Sequence, residues 1–415
     1  MLRTMLLLFY LIVFNFEGQA QVKIKLFSDY SPQSVCVTVT EGRYEILKSN
    51  GENLALSKND RVTITSLNGL LTVKPDSAAG FNDSFIVLKG ETGKDVFALV
   101  IPGKKLVKRN YSGDLACSAG KRSIVLFNTC PSEDYISGVV VAEGGKQQNI
   151  EYYKAQSILA RTYMFKYIED NFGESDYLTD NTDCQVFFGI TSDPAILKAV
   201  ELTRGQVIID RNKTVIECAF HSNCGGVTCS SGDVWLTHKS YLKSVTDPFC
   251  QNSRNAKWEK SISLDRWVNY LKRSGYTGRS DDPSAFSFSG LLRSDNYTIG
   301  SFGMPFTRIR TEMHLPSAYF TVNLKGDSIV LNGKGFGHGV GLCQEGAMKM
   351  ARQGYSYRQI INFYYNGVLI EDISKASILP QLKILLAGYG KGHDNKAKKE
   401  VLLPASEGFI VQASR

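Results

Sequence analysis

One carboxyl residue, Glu143, lies in a sequence context that favours an acid. The segment from Asp134 to Glu143 reads DYISGVVVAE, and Gly144-Gly145 follow it. We expect a helix that ends at these glycines, which places Glu143 at its C-terminal end. The negative end of the helix dipole disfavours another negative charge, and apolar neighbours add desolvation. Both effects favour the protonated carboxyl. The alternatives for Glu143 are a general acid and a solvated surface residue, and helix position alone favours the second.

A second, longer helix is predicted from Asn149 to about Asn171, and the short link between the two helices favours an antiparallel pair. The run from Lys154 to Tyr163 reads KAQSILARTY. The guanidinium of Arg161 could bind a ligand carboxylate through a bidentate fork. The alternative for Arg161 is a salt bridge within the protein.

The segment from His221 to Gly226 reads HSNCGG and combines an imidazole, a thiol and paired glycines. Paired glycines let a backbone approach a ligand closely. A cysteine nucleophile made of Cys224 and His221 is disfavoured, because catalytic Cys and His normally come from separate parts of a fold. His221, Cys224 and Cys229 are suitable ligand types for zinc, but their spacing does not support a zinc site.

Glycine occupies every second position from Gly333 to Gly341, around His338. No Gly-Lys-Ser/Thr sequence follows, which argues against a phosphate-binding loop. The alternatives for His338 are a structural histidine with satisfied hydrogen bonds and a residue of a ligand cleft.

These segments, in this order, resemble the SpoIID/LytB family, which includes sporulation stage II protein D and amidase enhancers. Tyr364-Tyr365-Asn366-Gly367 matches the closing element of the family, so the resemblance spans about residues 105–370. It implies a lytic transglycosylase that cleaves peptidoglycan glycan strands, including strands denuded of stem peptides. Glu143 would be the single acid and base, and the products would carry 1,6-anhydro-muramyl ends. The residues that the resemblance implies for substrate binding are Gln156, Arg161, His221, Ser222, Gly225, Gly226, His338 and Gln344.

The chain departs from the family pattern at three places. Gly144-Gly145 stand where Met-Pro or a similar pair usually follows the acid, and Cys343 replaces a more usual serine. Asp183 replaces a histidine that binds metal in some members, directly before Cys184. The resemblance therefore implies no metal site and no cofactor. The first departure keeps an alternative function open, a non-catalytic protein that binds the cell wall and stimulates an amidase partner.

The N-terminus predicts export. Arg3 precedes an apolar run from Met5 to Phe14, and the small residues Gly18 and Ala20 follow. This pattern is typical of a signal peptide cleaved after Ala20, so we predict a protein of the periplasm or cell envelope. The alternative, an uncleaved membrane anchor, would be the only case in which the protein contacts a membrane. The apolar run is shorter than the roughly 20 residues that a spanning helix needs.

The net charge of +8, from 48 Lys and Arg against 40 Asp and Glu, suits an anionic partner such as a cell-wall polymer. The basic clusters Lys104–Arg109 and Lys396–Lys399 are short and typical of solvated surface, so no nucleic-acid partner is predicted. The nine cysteines are an odd number, so at least one stays unpaired within the chain. In an exported chain we expect a disulfide at Cys224 or Cys229 rather than zinc.

We predict an α+β protein, in which a mixed α/β catalytic core with an antiparallel helix pair and β-rich segments follows a small β domain. The predicted divisions are a signal peptide (1–20), a β-rich N-terminal domain (21–105), a SpoIID/LytB-like catalytic domain (106–372) and a C-terminal tail with β character (373–415). Alternating apolar residues and Asn-Gly turns carry the N-terminal prediction. Further predictions are strands over 206–209 and 215–220, a strand-rich segment over 285–332, and helices that start near Leu342 and Tyr357.

Overall fold

A computed structural model describes residues 20–103, 107–175, 177–235, 237–278, 283–289, 293 and 296–378. The fold is α+β, as the sequence predicts. Residues 1–19 of the predicted signal peptide and residues 379–415 of the predicted tail lie outside the described residues. In the part of the chain that is described, no helix combines the length and the apolar character needed to cross a membrane.

The elements of the described residues follow each other in this order. The strands are β1 (Gln21–Leu26), β2 (Ser34–Glu41), β3 (Tyr44–Lys48), β4 (Asn53–Leu56), β5 (Arg61–Leu67), β6 (Leu70–Pro75), β7 (Phe81–Asp83), β8 (Phe85–Gly90), β9 (Val96–Ile101), β10 (Val107–Ser112), β11 (Asp114–Ala119), β12 (Ile124–Pro131), β13 (Leu178–Thr179), β14 (Gln206–Ile209), β15 (Phe220–His221), β16 (Lys257–Ser263), β17 (Asn296–Ile299), β18 (Phe302–Pro305), β19 (Phe320–Lys325), β20 (Ser328–Lys334), β21 (Leu342–Cys343) and β22 (Leu369–Asp372). The helices are α1 (Ser132–Gly144), α2 (Ile150–Asp170), α3 (Pro194–Leu202), α4 (Ser231–Val234), α5 (Leu264–Arg273), α6 (Phe306–Met313), α7 (Gln344–Arg352) and α8 (Tyr357–Tyr364), with short 3-10 turns at Pro283–Phe286 and Ile373–Lys375.

The first thirteen strands form two sheets. One sheet has seven strands in the order β13-β1-β12-β11-β8-β3-β4, and the other has six in the order β10-β9-β2-β5-β6-β7. Buried side chains alternate with more exposed ones along β2, β5 and β12, as in a sheet with one face on a core. Aromatic rings join the sheets, since Tyr44 of β3 stands edge-on to Phe97 of β9 with centroids 5.7 Å apart.

The sheets continue past the predicted boundary at residue 105. This boundary falls between β9 and β10, which are antiparallel neighbours. β11 and β12 also follow it in sequence, yet they lie in the middle of the seven-stranded sheet. The β-rich region therefore extends to Pro131, and α1 begins at the next residue.

The helix pair forms as predicted and carries the candidate acid. Glu133 lies in the first turn of α1, where a negative charge suits the helix dipole. The helix ends at Gly144, with Gly145 as its C-terminal cap. Asn149 caps α2 by accepting a hydrogen bond from the Glu151 N–H at 2.9 Å. α2 contacts α1, α3, α7 and α8, so it is the helix around which this half of the protein is arranged.

The strand predicted over 215–220 is wrong for most of its length. β14 forms as predicted, but only Phe220 of the second run is in a strand, and Val215 makes an isolated bridge to Ile209. A tyrosine hydroxyl takes the place of a neighbouring strand here. Tyr365 bonds both the N–H and the carbonyl of Ala219, which satisfies that backbone without a sheet.

The part of the chain from β16 to β20 forms a separate hydrophobic core. The sheet β16-β20-β19 packs with α5, α6 and the hairpin β17-β18 around buried aromatic residues such as Trp267, Tyr297 and Phe306. The predicted strand-rich segment is present in β17 to β20, but α6 interrupts it. Downstream, α7 and α8 start at Gln344 and Tyr357, close to the predicted positions.

Candidate active site

Glu143 lies on the last turn of α1 and is partly buried. Its Oε1 accepts a hydrogen bond from the Val186 N–H at 3.0 Å. Burial raises the pKa of the Glu143 carboxyl, and the Val186 N–H offsets part of that rise. Among the described residues no donor bonds Oε2, so Oε2 is the oxygen left to carry the proton of the acid.

Gln344 is the predicted site residue that the structure brings directly to Glu143. Its Nε2 donates to the backbone carbonyl of Glu143 at 3.3 Å. Gln344 is buried and is the first residue of α7. The bond therefore ties the start of α7 to the end of α1, next to the candidate acid.

Gln156 is buried in the protein and does not lie on an exposed surface. Its side chain is fully buried on α2, where its Oε1 accepts a hydrogen bond from the Tyr152 hydroxyl at 3.3 Å. Burial raises the pKa of Tyr152, and the charge of Glu143 raises it further, so the phenol is within electrostatic reach of the acid. Gln156 has no exposed atom in the described structure, and its direct contact with substrate stays a prediction.

Arg161 forms the alternative predicted for it, an intramolecular salt bridge. The guanidinium is fully buried, with Nε 2.9 Å from Glu133 Oε1 and Nη2 2.6 Å from Glu133 Oε2. Nη1 also donates to the carbonyl of Gln206 at 3.1 Å. The bidentate fork of Arg161 is filled by Glu133 in the described structure, and binding of a ligand carboxylate by Arg161 stays a prediction.

His221 reaches the site on β15, which pairs in parallel with β21, so that His221 faces Cys343. Its Nδ1 donates to the carbonyl of Val340 at 3.1 Å. Burial lowers the pKa of His221 well below its ordinary value, so the ring is neutral and Nε2 is an acceptor. Among the described residues this Nε2 has no hydrogen-bond partner.

His338 uses both ring nitrogens on the backbone. Nε2 donates to the carbonyl of Phe220 at 3.0 Å, and Nδ1 accepts from the Val340 N–H at 3.1 Å. Burial lowers the pKa of His338 to about 4, so the imidazole stays neutral near pH 7. The structure therefore favours the alternative for His338, a satisfied structural histidine, over the predicted sugar contact.

The paired glycines Gly225 and Gly226 pack against other parts of the protein. Gly225 has a φ of +71°, and a Cβ there would lie 2.7 Å from the Cβ of Lys334. The nearest atom to a Cβ on Gly226 would be the Gln251 side chain at 3.6 Å. Ser222 is partly exposed, and its carbonyl accepts from the Glu345 N–H at 3.0 Å. Gly225 therefore allows close approach to the end of β20, and the ligand contact predicted for the two glycines stays a prediction.

The alternating glycines pack the His338 loop against the strand that carries His221. Gly341 has a φ of +72°, and a Cβ there would collide with the carbonyl of Ala219. This is a position that only glycine occupies without strain. The glycine pattern therefore places the two histidines side by side, with ring centroids 5.5 Å apart.

Two further residues of the site were missed by sequence reasoning. The Trp235 ring lies 5.2 Å from the His338 ring and is partly exposed. Its signal in the sequence is weak, since it is one of three tryptophans and stands outside the motifs. Val186 contributes its N–H to Glu143, and a backbone donor leaves no signature in the residue type.

The cysteines do not form the arrangements considered from the sequence. All nine are free thiols, so no disulfide joins Cys224 or Cys229. The trio of His221, Cys224 and Cys229 does not come together as a group of metal ligands in the described residues, since only Cys224 belongs to a cluster of converging ligand atoms. Cys224 instead meets Asp247, Cys250 and Cys343, a cluster that the sequence did not predict.

The sequence is similar to those of several known proteins. A family model described as stage II sporulation protein (SpoIID) matches residues 120–209, which include Glu143. An uncharacterized protein of Brachyspira hyodysenteriae is 27% identical over 373 residues, 88% of this chain and 96% of that protein. The stage II sporulation protein D of Bacillus subtilis is 26% identical over 351 residues, 76% of this chain and 96% of that protein. The amidase enhancer of Bacillus subtilis is 28% identical over 288 residues, 57% of this chain but 40% of that protein.

Fold and site together define an α+β protein with one partly buried acid at the end of a helix. The matched family model and the named relatives support membership of the SpoIID/LytB family. Family membership supports a role related to the cell wall.

Proposed function

We propose that this protein is a lytic transglycosylase that cleaves the glycan strands of peptidoglycan with Glu143 as its single acid and base. The observation that carries the proposal is the state of the Glu143 carboxyl. It is partly buried, its pKa is raised, and Val186 holds one of its oxygens at 3.0 Å. A raised pKa keeps a carboxylic acid protonated closer to neutral pH, as proton donation to a leaving group requires.

The reaction needs one proton in transit and no water. Glu143 Oε2 gives its proton to the glycosidic oxygen, the bond from that oxygen to C1 breaks, and an oxocarbenium-like sugar forms. The 6-hydroxyl of the same sugar then attacks C1, and the Glu143 carboxylate takes up the hydroxyl proton. The new bond closes a 1,6-anhydro ring and restores the acid.

The surroundings of Glu143 fit a mechanism with one carboxyl. A glycoside hydrolase normally places a second carboxylate near its acid, as nucleophile or as base for water. Among the described residues no other carboxylate contacts Glu143 or shifts its pKa. The negative charge of Glu143 raises the pKa of Tyr152, whose phenol is neutral.

The proposal also includes the cellular location of the protein and the side of the site that binds the sugar. We propose that the chain works in the periplasm or cell envelope, because its N-terminal segment has the pattern of a signal peptide. The net charge of +8 suits an anionic polymer such as peptidoglycan. His221 Nε2 is a buried acceptor, the His221 ring lies against His338, and His338 lies against the partly exposed ring of Trp235. We place the sugar on this side of the site.

A second function has a specific observation in its favour. The chain is similar to a protein named amidase enhancer, and Gly144-Gly145 replace the residues that usually follow the acid in the family. In this alternative the protein binds glycan without cutting it and stimulates a cell-wall amidase partner.

Mass spectrometry of purified glycan strands, with and without stem peptides, separates the two functions. The transglycosylase is expected to release fragments with 1,6-anhydro ends, and Glu143→Gln, which keeps the shape but not the acid, is expected to release none while staying folded. Intact strands after incubation with the wild-type protein, together with faster release of stem peptides when an amidase is added, would support the alternative instead.

A further inference from the structure

Four buried side chains from distant parts of the chain point at a common centre. Cys224, Asp247, Cys250 and Cys343 each offer a ligand atom, and these atoms all lie within 4.8 Å of one another. Cys224 Sγ is 3.3 Å from Cys250 Sγ and 3.3 Å from Asp247 Oδ2. All four residues are buried, so the cluster is closed to solvent.

A carboxylate is costly to bury without a cation, and here three thiols converge on one. A disulfide would need two sulfurs to approach to about 2.05 Å, and it would still leave the third thiol and the carboxylate in the same buried space. A tetrahedral zinc ion with Zn–S bonds of about 2.3 Å holds its sulfurs about 3.8 Å apart, which lies within the range of separations in the cluster. Sulfur-rich donor sets with four protein ligands are typical of structural zinc.

Hydrogen bonds orient the side chains of the cluster, as second-layer hydrogen bonds orient the ligands of a bound metal. The Tyr364 hydroxyl donates to Asp247 Oδ2 at 3.0 Å, and the Phe249 N–H donates to Asp247 Oδ1 at 2.8 Å. The Cys224 N–H points at the sulfur of Cys343 from 3.3 Å. Each of these bonds favours the anionic form of the group that accepts it, which is the form that binds a metal.

A glycine keeps the space for this arrangement. Gly346 lies on α7, one turn after Cys343. A Cβ on Gly346 would collide with both the Tyr364 hydroxyl and the Asp247 carboxylate. The helix therefore carries no side chain at the one place where the carboxylate and its tyrosine partner meet it.

We propose that Cys224, Asp247, Cys250 and Cys343 bind one zinc ion in a closed, four-coordinate structural site. Binding releases the thiol protons and leaves no open position for water or substrate. The ion joins the loop after His221 to the residue before Gln344, and Gln344 bonds the backbone of Glu143. Its role is thus to hold two parts of the candidate active site together, and the proposal stands whether or not the protein cleaves glycan.

Zinc content of the purified full chain tests the site directly. The protein is made without a polyhistidine tag, purified under reducing conditions with zinc present, and dialysed before elemental mass spectrometry. We expect about one zinc per chain, as for a structural site with four protein ligands. Cys224→Ser and Cys343→Ser should lose the zinc. Cys229→Ser is the matched control, since Cys229 is buried in the same loop but lies outside the cluster, and it should keep the zinc.

A second measurement, on the wild-type protein, tests the site even if the cysteine variants fail to fold. Replacement of zinc by Co²⁺ should give the near-ultraviolet charge-transfer absorption of cobalt bound to thiolates, and Cys229→Ser should give the same spectrum. Wild-type protein with no bound zinc and no such absorption would overturn the proposal. So would a Cys224–Cys250 disulfide found by peptide mass spectrometry in folded protein, if that protein takes up no zinc after the disulfide is reduced.

Discussion

His221 and His338 are held by the two sides of a single residue, Val340. The Val340 carbonyl accepts from His221 Nδ1, and the Val340 N–H donates to His338 Nδ1, both at 3.1 Å. These bonds fix opposite roles for the two Nδ1 atoms, a donor in His221 and an acceptor in His338. The second nitrogen of His338 donates to Phe220, while the second nitrogen of His221 has no partner among the described residues.

The first prediction follows from this difference. His338→Ala removes two hydrogen bonds from buried backbone groups, so we expect it to lower the free energy of unfolding by about 1–3 kcal/mol. Urea denaturation of the purified variant measures this, with His238→Ala as control, since His238 is exposed. In the folded fraction, His221→Ala should reduce glycan cleavage more than His338→Ala does. A His338→Ala protein of wild-type stability and no activity would reverse these roles.

The second prediction concerns the pH dependence of cleavage. Glu143 must be protonated to donate, and burial raises the pKa of its carboxyl. Cleavage should therefore be fastest below that raised pKa and should fall as the pH rises through it. Initial rates of anhydro-product formation across a pH series measure this limb, with circular dichroism at each pH to confirm folding. Rates that rise with pH in folded protein would contradict Glu143 as the acid.

The sequence was sufficient for the parts of the site that depend on local signals. The end of α1 at Gly144 and the capping of α2 by Asn149 follow from residues within one or two turns. The hydrogen-bond and salt-bridge partners of each side chain could not be predicted from the sequence, because these partners lie far away along the chain. Arg161 is paired with Glu133 across two helices, and the Glu143 carboxyl is bonded by the N–H of Val186.

The same limit explains the cluster around Cys224 and the lost strand before His221. Cys224 and Cys343 are 119 positions apart in the sequence and meet only because β15 pairs with β21. Alternation over 215–220 predicted a strand, yet the hydroxyl of Tyr365 satisfies the backbone at Ala219 from 146 positions away. Neither contact has a signature in the local residue pattern.

The third prediction concerns the buried salt bridge. Arg161→Met leaves the Glu133 carboxylate buried without its guanidinium partner, so we expect a loss of about 3–5 kcal/mol in the free energy of unfolding. Arg204→Met, which breaks the exposed pair of Arg204 with Glu201, should change it by less than about 1 kcal/mol. The double variant Glu133→Gln, Arg161→Met should recover part of the loss. A fully stable Arg161→Met protein with weakened substrate binding would restore the predicted ligand role.

The last prediction concerns the stability of Glu143→Gln. Because burial raises the pKa of Glu143 in the folded protein, the folded state holds more protons than the unfolded state between the two pKa values. The contribution of Glu143 to stability is therefore complete below the unfolded pKa and is lost as the pH rises through the folded pKa. A glutamine amide at this position does not titrate and would have no such loss, and its carbonyl oxygen can still accept the Val186 N–H. We expect Glu143→Gln to match the wild type at low pH and to become more stable than the wild type as the pH rises, with a constant gain in stability above the raised pKa.

Urea denaturation of both proteins at several pH values measures this difference in stability. Glu371→Gln is the control. Because Lys375 lowers the pKa of Glu371, this variant should show no gain in stability that grows with pH. A Glu143→Gln protein that loses stability towards neutral pH would show that the carboxylate, not the acid, is the form that the fold prefers.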